Sequence, residues 1–354
     1  KSNTPISYDK LVLAVGSKSN KFGWPGQNLD GVQGLYSYQD LMMLEENVKG
    51  VKKAVIVGGG LIGVEFAEML KYKEIDVTIF DVDNKFWGNV LPTEESEMLA
   101  RHIKKHHVNL SLETFLEEIL DDGNGRVRGV KTKSGEIIEC GLVGLCPGVS
   151  PNVEFIKSSN IIVERGVKIN AYFETNIPDV YAIGDCAQFE EGVNGRKPIE
   201  QVWYTGRIMG ETLAQTICGN RKAYNPGHWF NSAKFFDIEY QTYGWVFSSL
   251  RKGEADFYWE HKKGEIAIHV VWDQDSGLFK GINLFGIRMR HELFDKWLSE
   301  EASVDTVMAN LATANFDPEF YRHYEKEIIQ QFNNKSGRNV ELNAKKWWRN
   351  LIGS

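Results

Sequence analysis

Cysteine is scarce in this sequence: the 354 residues contain four, and no two of them form a CxxC or CxxxxC spacing. So few cysteines in so long a chain argue against a disulfide framework and are typical of a reducing compartment. None of them is spaced with histidine as in a zinc site. We therefore expect a cytoplasmic protein without disulfide bonds.

Basic residues are fewer than acidic ones, and long apolar runs are lacking. The sequence has 41 lysine and arginine residues against 48 acidic ones, a net charge of −7, whereas nucleic-acid binding needs a dominant basic surface. No apolar run approaches the roughly 20 residues that cross a bilayer. The opening residues KSNTPISYDK are polar, so we expect no secretory leader. What remains is a globular chain of two or three domains.

The strongest pattern present is KKAVIVGGGLIGVEFAEMLKYK, residues 52–73. It predicts a buried strand at 54–57, a glycine turn of the GxGxxG type, and a helix that continues through 64–70. Such glycines allow a tight turn, a close approach of the backbone to a pyrophosphate and close helix–strand packing, and the helix start offers free N–H groups to the phosphates. The predicted dinucleotide contacts are Gly58, Gly59, Gly60, Ile62 and Gly63.

An acidic residue stands where such a site needs one. The second strand, DVTIFD, ends at Asp81, 23 residues after Gly58, which is about the spacing expected of the carboxylate that binds the adenosine ribose. No arginine follows in VDNKF and only Lys85 is near, so the sequence favours NADH over NADPH. The alternative is a glycine-rich turn in an unrelated α/β domain.

Motifs on both sides of this unit give the chain a family resemblance. In chain order, AVGS (14–17), GGGLIGVE (58–65), GVSPN (148–152) and TNIPDVYAIGD (175–185) resemble the motifs of the two-dinucleotide-binding flavoproteins. These are the pyridine nucleotide–disulfide oxidoreductases, and the chain resembles most their ferredoxin-reductase and NADH-oxidase branch. The resemblance covers residues 1 to about 220.

The resemblance implies an α/β fold with two Rossmann-like domains. An FAD domain at 1–34 and 147–222 would be interrupted by an NAD domain at 35–146. In this family the first FAD-binding GxGxxG unit precedes everything seen here, so we expect the sequence to be a fragment; a shortened relative that lost full flavin binding is the alternative.

The resemblance also implies a flavin site. Asp185 would hydrogen-bond the ribityl chain of FAD, Gly184 would admit the pyrophosphate, and the helix that begins near Gln201 would point its N-terminus at the flavin ring. Trp203 and Tyr204 would stack near that ring or, for at least one of them, pack in the core. The flavin contacts implied in this way are Ala14, Gly16, Ser17, Gly148, Gly184, Asp185, Gln201, Val202 and Trp203.

Glu65 is the candidate catalytic residue. In the family, the glutamate of GxGxxGxE lies near the nicotinamide and orients it against the flavin. The alternative is a first-turn carboxylate that only interacts favourably with the helix dipole.

Two histidines raise the question of a metal site. His102 and His106 are one helical turn apart, but neither a carboxylate nor a cysteine nearby in the sequence completes a ligand set. We therefore expect a solvated helix face and no metal.

The last third of the sequence, residues 223–354, changes character. Aromatic and β-branched segments between Asn231 and Ile287 predict strands, and two amphipathic segments after them predict helices, so we expect an α+β domain. The tail at 345–349 interleaves basic residues with Trp347 and Trp348. It would grip an acidic partner or membrane surface, or else fold back on its own domain.

Together these patterns predict an NADH-dependent FAD oxidoreductase that passes a hydride from NADH to flavin and then electrons to an acceptor. That acceptor is a redox partner protein or a small molecule, and a homodimer is left open. The alternative is a non-catalytic, NADH-responsive binding protein derived from this fold.

Overall fold

A computed structural model of the chain describes residues 4–316 and 323–343. The tail at 345–349 lies outside these residues. The first part of the chain is short of regular structure and contains, in order, β1 (Leu11–Leu13), β2 (Ser17–Ser19), β3 (Val32–Gln33) and α1 (Tyr38–Asn47).

The middle of the chain forms a parallel sheet flanked by helices, as the glycine motif predicts. Its elements are β4 (Lys53–Val57), α2 (Leu61–Tyr72), β5 (Asp76–Phe80), α3 (Thr93–Lys105), β6 (Val108–Ser111), β7 (Leu116–Asp121), β8 (Val127–Thr132), β9 (Ile137–Glu139) and β10 (Leu142–Leu145). The five parallel strands run in the order β3-β10-β4-β5-β6. Strands β4 and β10 are buried almost throughout because α2 packs on the sheet with Val64, Phe66, Ala67 and Leu70.

Strands β7, β8 and β9 form a separate antiparallel sheet. Strands β8 and β9 form a hairpin, because they pair antiparallel and Gly135 has a φ of +88° at the turn between them.

The next part returns to the strands near the start of the chain. Its elements are β11 (Val149–Pro151), β12 (Val167–Ile169), β13 (Val180–Ala182), β14 (Ala187–Phe189) and α4 (Trp203–Ile217). β1 pairs parallel with β13, β12 pairs parallel with β14, and β2 pairs antiparallel with β11. Thus the two segments that flank the nucleotide sheet come together, although the domain boundaries at 34/35, 146/147 and 222/223 stay predictions.

The last third of the chain is an antiparallel sheet covered by helices, as expected. It contains β15 (Phe230–Phe235), β16 (Ile238–Gly244), β17 (Glu254–Glu260), β18 (Ala267–Asp273), β19 (Phe279–Phe285), α5 (His291–Ser299), α6 (Val304–Ala309), α7 (Leu311–Ala314) and α8 (Glu325–Ser336). The strand order is β15-β16-β19-β18-β17. The predicted α/β architecture with a C-terminal sheet domain is confirmed.

The C-terminal sheet packs directly on α2 and α3, the helices of the five-stranded parallel sheet, which together with that sheet form the nucleotide half of the molecule. Phe235 and Phe236 at the end of β15 and Tyr240 on β16 belong to the same buried cluster as the apolar faces of α2 and α3. A buried polar network crosses the same contact: Glu95 of α3 accepts hydrogen bonds at 3.1 and 2.9 Å from Asn283 and lies 3.0 Å from Nδ1 of His269. Among the described residues, no helix is both long and apolar enough to cross a membrane.

Candidate functional site

The turn between β4 and α2 is a backbone cradle that only glycine can build. Gly58 has a φ of +110°, and a Cβ on it would stand 2.9 Å from the amide nitrogen of Pro147. A Cβ on Gly63 would stand 3.3 Å from the carbonyl carbon of Gly58, so the helix and the turn are packed together. By contrast, a Cβ on Gly60, the N-cap of α2, would meet nothing within 4 Å. The helix N-terminus therefore faces open space, as a diphosphate requires.

Asp81 lies against this turn. It follows β5 directly, and a Cβ on Gly59 would stand 3.1 Å from the carboxyl carbon of Asp81. Its Oδ1 atom accepts a hydrogen bond of 3.1 Å from the amide of Asp83, and the residue is 7% exposed. Burial raises the pKa of the Asp81 carboxyl despite the backbone N–H groups that lower it. The glycine turn and the acid are thus adjacent; Ile62 lies half-buried in the first turn of α2 beside them.

Glu65 projects from the first turns of the same helix and is exposed. The surrounding protein nevertheless reduces its solvation, and this together with the neighbouring Glu68 carboxylate raises the pKa of Glu65. Glu68 itself pairs with Lys234 at 2.9 Å. Within residues 4–316 and 323–343, Glu65 has no cationic partner, so its carboxyl is free to meet a ligand.

A second polar cluster forms where β1 and β13 end. The hydroxyl of Tyr36 donates to Oδ2 of Asp185 at 2.9 Å and accepts a hydrogen bond of 2.9 Å from the amide of Ser17. The side-chain amide of Gln201 donates to Oγ of Ser17 at 2.7 Å. Three residues predicted from the flavin motifs, Ser17, Asp185 and Gln201, therefore share one hydrogen-bonded network.

The remaining flavin-motif residues surround this cluster. Gly16 and Gly184 adopt left-handed φ values of +65° and +70°, and a Cβ on Gly184 would meet nothing within 4 Å. Ala14 follows β1 directly, and the β1–β13 pairing brings it beside that turn. α4 begins after its N-cap Val202, and Trp203 is 69% exposed at its first position. These backbone groups form a second cradle that is open to a ligand.

The two cradles are linked through the chain that leaves β10. Gly58 abuts the backbone of Cys146 and Pro147, and the next residue, Gly148, has a φ of +99° and leads into β11. The carbonyl of Gly148 accepts a hydrogen bond of 3.0 Å from the amide of Asn20, next to β2. The residues present therefore fit a nicotinamide dinucleotide at one cradle and part of a flavin dinucleotide at the other.

Tyr36 was missed by the sequence reasoning. It stands between β3 and α1, just before Ser37, which caps α1 in a capping box with Asp40. That box is readable from the sequence, but the contact of Tyr36 with Asp185 spans 149 residues and has no local pattern.

The cysteines offer no reactive thiol pair. All four are free, and burial raises the pKa of Cys140 and of Cys146 to about 12. Burial also raises the pKa of Cys186, while Cys218 is exposed. A redox dithiol is therefore not formed by the cysteines of this chain.

The expectation of a solvated face at His102 and His106 is wrong for His102. His102 is 2% exposed because the β15–β16 turn packs over α3. The same turn brings Asp237, a carboxylate 135 residues away, to the two imidazole rings.

Comparisons with known proteins agree with this geometry. The chain is 31% identical to the nitrite reductase [NAD(P)H] of Bacillus subtilis over 281 residues, 79% of this chain and 32% of that protein. It is 32% identical to the rubredoxin-NAD(+) reductase of Acinetobacter baylyi over 211 residues, 58% of this chain and 53% of that protein. The chain thus spans about a third to a half of the length of these relatives.

A solved structure shows the same fold. The NAD-dependent persulfide reductase from A. fulgidus superposes with a TM-score of 0.78 at 21% identity, covering 96% of this chain and 66% of that one. The family model described as pyridine nucleotide-disulphide oxidoreductase matches residues 1–210. This match takes in the glycine turn, Asp81 and the flavin motifs, and it covers more than half of the chain. The chain therefore belongs to the pyridine nucleotide-disulphide oxidoreductase family, in its ferredoxin-reductase and NADH-oxidase branch.

Proposed function

We propose that the protein is an NADH-dependent FAD oxidoreductase that passes electrons from the flavin to a separate acceptor. The observation that carries this proposal is the open glycine turn at residues 58–63 with the Asp81 carboxyl packed against it. When bound, reduced nicotinamide supplies a hydride and the flavin accepts it. The chain itself needs no nucleophile; it has to bind the two cofactors and orient them.

Each cradle has a distinct binding task. At the first, the N-terminus of α2 supplies N–H groups and the positive end of its dipole to a diphosphate, and Asp81 accepts hydrogen bonds from the ribose. At the second, Asp185 would bind the flavin polyol, and the N-terminus of α4 after Val202 would supply the positive end of its helix dipole to the flavin ring.

Glu65 is the proposed orienting residue for the nicotinamide. The pKa of Glu65 is raised, and within the described residues its carboxyl has no cationic partner. The carboxyl can therefore accept a hydrogen bond from a carboxamide or, when protonated, donate one to it. We give it no role in proton transfer, since hydride transfer itself requires none.

The preference for NADH rests on charge at the ribose end. A 2′-phosphate would be placed beside the Asp81 carboxylate, whose repulsion disfavours NADPH. The nearby Lys85 donates a hydrogen bond of 3.0 Å to Oγ1 of Thr93, and within the described residues it forms no ion pair with Asp81.

The acceptor is a redox partner protein or a small molecule. The names of the two relatives above point to different acceptors, rubredoxin in one case and nitrite in the other, so family membership leaves this choice open.

The decisive experiment is an anaerobic absorbance titration of the intact protein. Bound flavin gives a band at about 450 nm, a property of the cofactor, and we expect NADH to bleach it at lower concentration than NADPH does. A protein that binds NADH but carries no flavin and reduces no dye would instead be the non-catalytic binding protein. Failure to bind NADH at all contradicts both functions.

A further inference from the structure

Two histidines and one aspartate from distant parts of the chain converge at the contact between α3 and the C-terminal sheet. Nε2 of His102 lies 2.5 Å from Oδ1 of Asp237, and Nε2 of His106 lies 2.9 Å from the same oxygen. Asp237 stands in the turn between β15 and β16. Two ring nitrogens are therefore directed at one point, beside one carboxylate oxygen.

The helix provides the geometry of a chelating pair. His102 and His106 are four residues apart, so both side chains project from one face, and their ring centroids are 4.7 Å apart. The three donor atoms lie within 4.8 Å of one another, a separation from which a small side-chain rotation reaches bonds of about 2.0–2.2 Å to a single ion.

The surrounding residues hold the two histidines in place and leave the aspartate accessible to solvent. His102 is buried, and the ring of His106 stacks on Phe236 with centroids 4.4 Å apart and an interplanar angle of 12°. Asp237 is exposed, and a surface cavity of about 270 Å³ opens beside it. Two lysines line that cavity, and each has an acidic partner: Lys234 pairs with Glu68 at 2.9 Å, and Lys71 lies 3.9 Å from Asp76.

We propose that His102, His106 and Asp237 bind a divalent transition-metal ion of the zinc type, with water completing its coordination. Two imidazole nitrogens and one carboxylate suit zinc and its first-row neighbours, whereas calcium and magnesium prefer all-oxygen sites. This site is separate from both nucleotide cradles and does not depend on the proposed redox function.

The consequence is a metal link between two parts of the molecule. His102 lies in α3 and His106 is the residue that caps its C-terminus, whereas Asp237 lies in the turn between β15 and β16 of the C-terminal sheet. Because the unfolded chain does not preform the site, bound metal stabilises the folded state and holds these two parts in register.

The test uses zinc alone as the probe. The full chain is stripped with a chelator and titrated with Zn²⁺ against a chromophoric competitor, and we expect one equivalent to bind and the unfolding midpoint to rise. His106→Asn and Asp237→Asn, at the two more exposed ligands, should each weaken binding by at least about 10–100-fold, the loss that even an outer-shell change typically causes. X-ray absorption of the zinc-loaded protein should show two imidazole ligands.

His107→Asn is the matched control. His107 is the next histidine in the chain, is exposed, and has a φ of +57° that asparagine tolerates. It should leave the zinc equivalent unchanged. The proposal is overturned if the wild-type chain binds no zinc, if Mg²⁺ raises the unfolding midpoint as zinc does, or if binding survives both ligand variants.

Discussion

The carboxyl of Asp81 occupies the space that any side chain on Gly59 would need. A Cβ on Gly59 would stand 3.1 Å from Cγ of Asp81 and 3.3 Å from its Cβ, with Oδ2 nearer still. Gly59, the middle residue of the turn between β4 and α2, and the acid that follows β5 are thus fitted to each other. This relationship lets the two neighbouring glycines of the turn be tested separately.

Gly59→Ala and Gly60→Ala should both weaken NADH binding, but for different physical reasons. Gly59→Ala displaces Asp81, so we expect the free energy of unfolding to fall by about 1–3 kcal/mol, as overpacking does, along with weaker NADH binding. Gly60→Ala meets nothing within 4 Å and should change stability little, but its methyl group faces the open end of α2. We expect it to weaken NADH binding by about tenfold or more, equivalent to about 1.4 kcal/mol.

Thermal unfolding and NADH titration check both variants. Gly210→Ala in α4 is the control, because the nearest atom to its Cβ would be Cδ1 of Ile183 at an ordinary 3.9 Å. It should leave NADH affinity unchanged. Equal NADH affinity in Gly60→Ala and wild type would show that the phosphates bind elsewhere.

Asp81→Ser should reverse part of the cofactor preference. Loss of a charged hydrogen-bond acceptor typically costs about 1.5–3 kcal/mol, so we expect NADH affinity to fall by about 10–100-fold. NADPH affinity should fall less or rise, since the repulsion of a 2′-phosphate is removed. Steady-state kcat/KM with each nucleotide measures the change, and an unaltered NADH to NADPH ratio would contradict the assignment of Asp81 to the ribose.

Asp185→Asn should lower flavin retention without unfolding the second cradle. The asparagine oxygen can still accept the hydrogen bond from Tyr36, so the network with Ser17 persists. The lost charge should weaken flavin binding by about tenfold, or about 1.4 kcal/mol. The ratio of flavin to protein absorbance in the purified intact protein gives the result.

Tyr36→Phe is the control variant, because it removes the hydroxyl from the network but keeps the Asp185 carboxylate. Flavin retention close to wild type in Tyr36→Phe would assign the effect of Asp185→Asn to the lost charge.

The buried network at the C-terminal sheet should make stability depend on pH. Burial of His269 opposes its charged form, but the hydrogen bond to Asp256 and the Glu95 carboxylate 3.0 Å from Nδ1 outweigh this and raise its pKa to about 9. The stabilisation by protonated His269 is therefore complete below the unfolded pKa of about 6.5 and is lost as pH rises through about 9. We expect a loss on the order of 3 kcal/mol across that window.

Urea unfolding of wild type and His269→Gln between pH 6 and 10 checks this dependence. The variant should be destabilised at pH 6 by about 3–5 kcal/mol, the usual effect of leaving a buried charge unpaired, and its stability should vary less with pH. Parallel pH curves for the two proteins would show that His269 is not charged in the folded state.

Much of the nucleotide half was predictable because its signals are local. The strand at 53–57, the turn at 58–60 and the helix at 61–72 follow from an apolar run, three glycines and a 3.6-residue periodicity that are adjacent in the sequence. The hairpin at Gly135 and the aromatic strands after Phe230 have equally local patterns. The helix boundaries differ from the prediction by a few residues because capping decides them.

The polar contacts that join distant segments were not predictable in this way. Tyr36 donates to Asp185, His269 lies against Glu95 and Asp256, and Asp237 contacts His102 of α3 and His106 at the C-cap of that helix. Nothing in the composition around Asp237 distinguishes it from any other turn aspartate. The expectation of no metal at His102 considered only residues close to the helix in the sequence. The carboxylate that lies beside His102 belongs to Asp237, in the turn between β15 and β16.

The amino-acid sequence by itself determined the glycine turn after β4, the acid that follows β5, the order of the family motifs and the class of each segment. These depend on backbone freedom at glycine and on periodic burial, which act over a few residues. Only the tertiary structure decided which charged groups are buried and which side chains form hydrogen bonds or ion pairs with one another. Those choices depend on packing between α3 and a sheet more than a hundred residues away, because desolvation and hydrogen bonding respond to neighbours in space and not in sequence.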